Sequence, residues 1–307
     1  MVMATGAFSE DLWPGILGWF GDSYQDWEPL WEKIVDVHQS DKQFEKFQGI
    51  TNYGLAGVKD QGAGIPYRDK YQGFPREIIN VTYGIGSTIT YEMMRYDQYD
   101  KFSAIPQQLA QAVRRTEETV VFNLLNNGFS TATTPTLTAD GKSLFNSAHL
   151  LVAANNTTQK NTPSTAADLS QTAIEQADID IGLFVDDQNL PIVVRPMKII
   201  VPVQSKNLVR KIFETEYELD SGNNTINPIS NTRSNNPLEI IVSPWLTDTD
   251  AWFIKTDEED GLVFTDVDPV MLDRDNDFDT KNLKFSAVRL FGTGAVNYLG
   301  FYGSPGA

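Results

Sequence analysis

Between residues 48 and 76 the chain places a helix breaker every few positions: Gly49, Gly54, Gly57, Gly62, Gly64, Pro66, Gly73 and Pro75. No long helix survives that density, so the segment is expected to be extended and turning. Residues 77–92 then alternate, with Ile79, Val81, Tyr83 and Ile85 on one parity and Ile78, Asn80, Thr82 and Gly84 on the other. β-Branched and aromatic residues dominate, which predicts a strand continuing towards Ile89 and Tyr91. Together 48–92 reads as a long two-stranded excursion. An isolated two-stranded ribbon is marginal in water, so it needs another surface to lie on.

Composition narrows what that surface can serve. Hydrophobic residues make up 41% of the 307 and charged residues 21%, a globular balance with a buried core. There is no cysteine, which removes disulfides, thiolate nucleophiles and cysteine-ligated metals. Only His38 and His149 could supply imidazoles. The formal net charge of −17 argues against a surface that grips nucleic acid by neutralising phosphates. The first 32 residues contain no Lys or Arg, so the basic start of a secretory signal is missing. The most apolar stretch, Ile192 to Val203, is interrupted by Arg195 and Lys198 and is too short to span a bilayer.

Four of the six tryptophans, Trp13, Trp19, Trp27 and Trp31, lie in residues 1–47. Trp27, Leu30, Trp31, Ile34 and Val35 recur at helical spacing, with Pro29 in the first turn. Two readings stand at this point: the helix packs on its own subunit, or it docks on a neighbour. The strongest helix follows at 103–126. Ser103 is its expected N-cap, Pro106 sits in its first turn, and Ile105, Leu109, Ala112, Val113, Thr116, Val120 and Leu124 form its apolar stripe. Asn126-Asn127-Gly128 ends it, giving a rod of roughly 35 Å. Further helices are expected at 170–182 and 205–216. Strands are expected at 192–201 (interrupted by Pro196), 238–243, 251–255, 262–265, 282–291 and 294–302.

Several patterns suggest chemistry and each has a plainer reading. Asp273, Asp275, Asp277 and Asp279 alternate like a calcium loop. However, Phe278 and Lys284 stand where that loop needs Gly and Glu, so a solvated acidic turn is expected. Gly84-Ile85-Gly86 lacks the third glycine of a dinucleotide fingerprint. His149 beside Ser143, Ser147 and Asp140 is expected to be structural, because catalytic triads do not assemble from one local cluster. Glu117 and Glu118 are adjacent on the long helix and do not share a face, so they are expected on a solvated edge.

Two further segments are distinctive: Ala139-Asp140-Gly141-Lys142-Ser143-Leu144-Phe145-Asn146-Ser147-Ala148-His149, and the run from Arg274-Asp275-Asn276-Asp277-Phe278 to Phe301-Tyr302-Gly303-Ser304. With Trp245 to Trp252 and the preceding long helix, they resemble the major capsid proteins of tailed double-stranded-DNA phages, close to the Mu-type major head subunit. The resemblance implies an α+β tailed-phage capsid fold. Its parts would be an N-terminal arm at 1–47, an extended loop at 48–92, a peripheral domain with a long spine helix at 93–182 and 270–307, and an axial domain at 183–269.

The resemblance also implies a structural protein, not an enzyme, that assembles with itself as pentamers and hexamers into an icosahedral shell. That shell would enclose double-stranded DNA without sequence-specific binding. Implied partners are a scaffolding protein, a portal and a decoration protein, with no membrane. The implied location is the virion, after assembly in the host bacterial cytoplasm. No catalytic residue, cofactor or metal is implied. Some relatives carry a cleaved scaffolding segment, so here scaffolding is expected to be a separate protein or already removed. Intersubunit contacts are expected at Trp27, Trp31, Lys59, Arg68, Lys70 and Arg76. The alternatives are an encapsulin-type nanocompartment shell and, more remotely, a hydrolase.

Overall fold

The computed structural model describes residues 28–62, 64–65, 67–90, 104–152, 157–217, 226–230 and 237–307, with isolated positions at 18, 20, 23, 24, 92 and 96. Twelve strands are present among them: β1 Asp36–Gln39, β2 Phe44–Ile50, β3 Gln72–Ile79, β4 Val81–Ile89, β5 His149–Leu150, β6 Thr158–Gln159, β7 Pro196–Pro202, β8 Glu239–Ser243, β9 Trp252–Thr256, β10 Leu262–Asn276, β11 Leu283–Ala295 and β12 Phe301–Ser304. The α-helices described along their length are α1 Ala104–Asn126, α2 Gln171–Gly182 and α3 Lys206–Glu214. Among the described residues no helix is long and apolar enough to cross a membrane.

Two four-stranded sheets carry the fold, in the orders β1-β10-β11-β4 and β12-β9-β7-β8. β1 runs parallel to β10, and β10, β11 and β4 pair antiparallel. α1 lies against β11 and β4 and buries Leu109, Val113, Val121, Phe122 and Leu125. Val121, Phe122 and Leu125 join Trp31, Phe264, Phe291 and Phe301 in one core, while Leu109 and Val113 pack with Ile89, Leu283 and Phe285 in another. The second sheet has its own core, where Val209, Ile212 and Phe213 of α3 and Ile174 and Ile181 of α2 meet Ile199, Val201, Trp252 and Tyr302. α2 starts at Ser170, whose side chain accepts from the Ala173 N–H, as an N-cap should.

The helices α1, α2 and α3 fall where the 3.6-residue period puts them, but several strands do not follow the sequence reading. The run expected to be continuous from 77 towards 91 is two strands divided at Asn80. β3 pairs with β2, whereas β4 leaves the ribbon and pairs with β11 from Val81↔Phe291 to Ile89↔Leu283. The ribbon therefore spans 44–79, starting before residue 48, and 81–89 belong to the first sheet. The strand expected at 262–265 runs to Asn276. It carries Pro269 inside a register shift between Asp266 and Met271, the kind of place where a strand tolerates proline. Asp273 and Asp275 thus sit in a ladder, and only Asp277 and Asp279 lie at the turn expected of all four. β11 is one strand through Gly292 and Gly294. The chain then crosses to the second sheet as β12, so 301–304 do not join the first sheet with the rest of 270–307. Pro196 opens β7 instead of interrupting it.

The amphipathic helix expected across Trp27 to Val35 is, in its described part, a single 3-10 turn at Trp31–Lys33. Trp27 lies outside the described residues. Trp31 is 4% exposed and stacks on Phe264 of its own core at 4.2 Å between ring centroids. The own-core reading therefore holds for Trp31, which is not available to a neighbour.

Candidate intersubunit interface

The ribbon keeps much of its apolar surface uncovered, although it meets its own body near Asn52, whose carbonyl accepts from Gln188 Nε2 at 3.4 Å. β2 and β3 pair from Phe44↔Ile79 to Ile50↔Gln72, and the described residues between 51 and 71 form a turn-and-coil tip. Among the described residues, nine of the twenty-three exposed large apolar ones lie on 44–79, with Val58 and Tyr67 both 96% exposed. Leu55, Ile50, Ile65 and Ile79 are also mostly open to solvent. An apolar strip of this size on a narrow ribbon is the signature of a contact surface.

The ribbon leaves the body at a built root. Asn80 donates its side-chain amide to the Lys42 carbonyl at 2.7 Å and its backbone N–H to the Gln43 carbonyl at 3.0 Å. Its side-chain oxygen accepts from the Thr265 hydroxyl of β10. Both legs of the ribbon are thereby tied to the first sheet. Gly292 of β11 passes directly beneath: a Cβ there would lie 2.5 Å from Asn80 Oδ1 and 2.6 Å from Thr265 Oγ1. Beside the root is a groove of about 470 Å³, lined by Ile79, Val81, Tyr83, Val120, Leu124 and Phe291.

The basic residues expected at this interface divide in two. Lys59, Arg68 and Lys70 lie on the exposed tip, with Lys70 over the Tyr53 ring at 4.4 Å. Arg76 instead sits in β3 and donates to the Thr134 carbonyl of its own subunit. Burial pushes its guanidinium below the ordinary value. It pins the ribbon's root instead of reaching outwards.

Glu117 and Glu118 overturn their expected placement, because both are fully buried. α1 is enclosed on two sides, so positions that diverge on a free helix both end inside. Glu117 accepts from Arg289 Nε of β11 at 3.0 Å and from the Tyr24 hydroxyl at 2.8 Å, with Arg114 at 3.6 Å. Arg289 also reaches Asp266 at 3.0 Å. Burial raises the Glu117 carboxyl above its usual range even against these donors. Glu118 accepts the Leu30 N–H at 2.8 Å.

The Asp140–His149 segment is structural, as expected. Asp140 accepts from Thr138, from the Lys142 and Leu150 N–H groups, and from His149 Nδ1 at 2.9 Å. Burial alone would raise its carboxyl, but these donors, with His149 foremost, hold it below the usual range. His149 is fully buried and stacks on Tyr298 at 4.0 Å. Ser143 Oγ donates to the Phe145 carbonyl, away from the imidazole, so no triad forms. Gly141 takes a φ of 74°, the turn conformation that glycine favours. Among the described residues no group of three or more His, Asp or Glu is placed to hold a metal ion.

Sequence reasoning missed Asn80, Gly292 and Arg289. A cue existed for the first, since Asn is depleted in strands and Asn80 interrupts a β-branched run. The partners of the other two become evident only in three dimensions.

The comparisons with known proteins agree with this geometry. A sequence profile described as phage capsid protein matches residues 78–304, beginning where the ribbon ends. No curated protein sequence matches significantly. Among solved structures, the capsid of the cyanophage P-SCSP1u aligns with a TM-score of 0.59 at 9% identity, over 90% of this chain and 87% of that one. The capsid of bacteriophage JBD30, decorated with minor capsid protein trimers, aligns with a TM-score of 0.57 at 12% identity, over 74% and 95%. A virus-like particle from Pyrococcus furiosus aligns with a TM-score of 0.51 at 10% identity, over 94% and 97%. At these identities the structures establish the fold, which an archaeal particle shares. The profile covers most of the chain and settles the family: this α+β chain belongs to the phage capsid proteins, structural proteins of the shell.

Proposed function

We propose that this subunit builds an icosahedral shell of pentameric and hexameric rings around double-stranded DNA, each ribbon lying on the next subunit. The observation that carries this is the ribbon itself, exposed and apolar along 44–79. Its ladder alone sets the tip about 25 Å from its root at ~3.3 Å per residue. Among the described residues no tip residue lines the groove beside the root, which is open to another subunit's tip. Such a head-to-tail contact closes into rings when its rotation divides the circle. In the proposed division the ribbon is the extended loop, α1 with the first sheet is the peripheral domain, and α3 and the second sheet are the axial domain; α2, expected within the peripheral 93–182, is assigned to the axial domain because it packs in that core.

Lys59, Arg68 and Lys70 are the proposed contact residues, together with Trp27 of the arm. The remaining proposed partners are a scaffolding protein, a portal and a decoration protein. Assembly is proposed to occur in the bacterial cytoplasm, and the subunit to have no catalytic role. The Mu-type affiliation rests on the Asp140–His149 and Arg274–Phe278 segments. The acidic net charge suits a shell wall that must not adhere to its DNA. A nanocompartment shell is the alternative; a cargo enzyme encoded beside this chain, in place of a terminase or portal, would favour it.

Electron microscopy tests the proposal. Purified protein, with scaffold supplied, should form closed shells with five- and six-fold rings. A subunit that stays monomeric across concentration and salt overturns it.

A further inference from the structure

Glu117 and Glu118 hold the same length of chain by different means. Glu117 takes the Tyr24 hydroxyl and shares its charge with Arg289 and Arg114. Glu118 receives backbone N–H groups, from Leu30 at 2.8 Å and from Trp31. These donors open the 3-10 turn that seats Trp31 and Ile34 in the core. Glu118 Oε2 is buried with no hydrogen-bond partner among the described residues. A carboxylate so placed has lost water without full replacement, which disfavours its charged form.

Among the described residues the charged groups around it are few. From its own helix come Arg114, which also faces Glu117 and lies over the Tyr24 ring at 4.6 Å, and Glu117, a like charge. From the sheet comes Arg289, whose Nε is aimed at Glu117. The arm offers it the two backbone donors.

We propose that Glu118 is a proton-operated latch between the N-terminal arm and the long helix. With Glu118 neutral the arm segment is seated; with Glu118 ionised the seat loosens. Burial pushes this carboxyl up to about 7, against the pull of the Leu30 and Trp31 N–H groups and of Arg114 and with a small addition from Glu117. The seated value lies above the ordinary one near 4.5. Seating therefore retains a proton that a solvated Glu118 would release. The latch is fully closed below the ordinary value and is lost as pH rises through the raised one. Acid tightens the arm and mild alkali loosens it, by about two orders of magnitude in the seating equilibrium. The latch is a property of the single subunit and does not depend on shell formation.

Hydrogen exchange on the full-length subunit between pH 5 and pH 8.5, corrected for intrinsic exchange rates, tests it. Amides of residues 30–35 should lose protection by about a hundredfold across that interval. Glu118→Gln keeps an acceptor for Leu30 and cannot ionise, so its protection should stay high and flat. A flat wild-type profile, or the same loss in Glu118→Gln, overturns the latch. Should that variant not fold, infrared spectroscopy of the wild type decides. A band from a neutral buried carboxylic acid should persist at neutral pH, and its absence refutes the idea.

Discussion

Gly292 is the residue at which one added carbon does the most. Its absent side chain leaves room for Asn80 and Thr265 to close the ribbon's root. Gly292→Ala should force that crossing apart and cost roughly 1–3 kcal/mol, as overpacking does, measurable by urea unfolding of the subunit. Asp140 is the second sensitive position, since four donors converge on it inside the protein. Asp140→Ala strands His149 and two backbone N–H groups, and should cost about 2–3 kcal/mol or more. The Asp140 carboxyl lies below its ordinary value in the fold. Its stabilisation is thus present above that ordinary value and is lost as pH falls through the lowered one. The variant should flatten the acid limb of the stability profile; an unchanged acid midpoint would contradict this. The structural role of His149 was legible because a tight local cluster with a Gly turn is a folding unit. The burial of Glu117 was not, because its cation, Arg289, is 172 residues away.

At the scale of elements, the ribbon and the arm behave differently towards a neighbour. Trypsin should cut free subunits early at Lys59, Arg68 and Lys70, which lie on a tip with no ladder of its own. Arg76, paired in β3 and bonded to Thr134, should be spared even then. In shells all four sites should be protected; equal tip cleavage in both forms would remove the ribbon from the interface. Trp31→Ala should lower subunit stability by roughly 3–5 kcal/mol, seen in thermal unfolding before any assembly step. Normal subunit stability with lost assembly would reverse the own-core placement. The helices α1, α2 and α3 could be read closely because their apolar stripes and the Ser170 cap are local signals. The strands β8 and β9 were legible to within a residue, but the division at Asn80 was not, because the parity of the side chains continues past it. Nothing in residues 77–92 says that one half pairs with β2 and the other with β11.

For the whole molecule, charge decides how copies approach one another. A net charge of −17 makes every pair of subunits repel at distance. The tip's three basic residues are nearly offset by Asp60 and Asp69. Raising ionic strength from about 0.01 M to 0.15 M shortens the Debye length from about 30 Å to about 8 Å. Shell yield, followed by light scattering, should rise over that range; a fall would mean that the tip's attraction outweighs the net repulsion. The family was legible from local segments that are structural, namely the Asp140 turn and the β10–β11 hairpin, while the ribbon lies outside the matched region. One further feature spans the molecule. Trp31, Phe264, Phe291 and Tyr83 stack in sequence at 4.2, 4.9 and 4.6 Å. The four rings come from four separate stretches of chain, so none of the stack exists until distant segments have met. Coupled aromatic transitions give such a stack its own near-ultraviolet circular dichroism. The subunit therefore carries an optical mark of completed topology, weakened in any intermediate where β4 has yet to bring Tyr83 to Phe291.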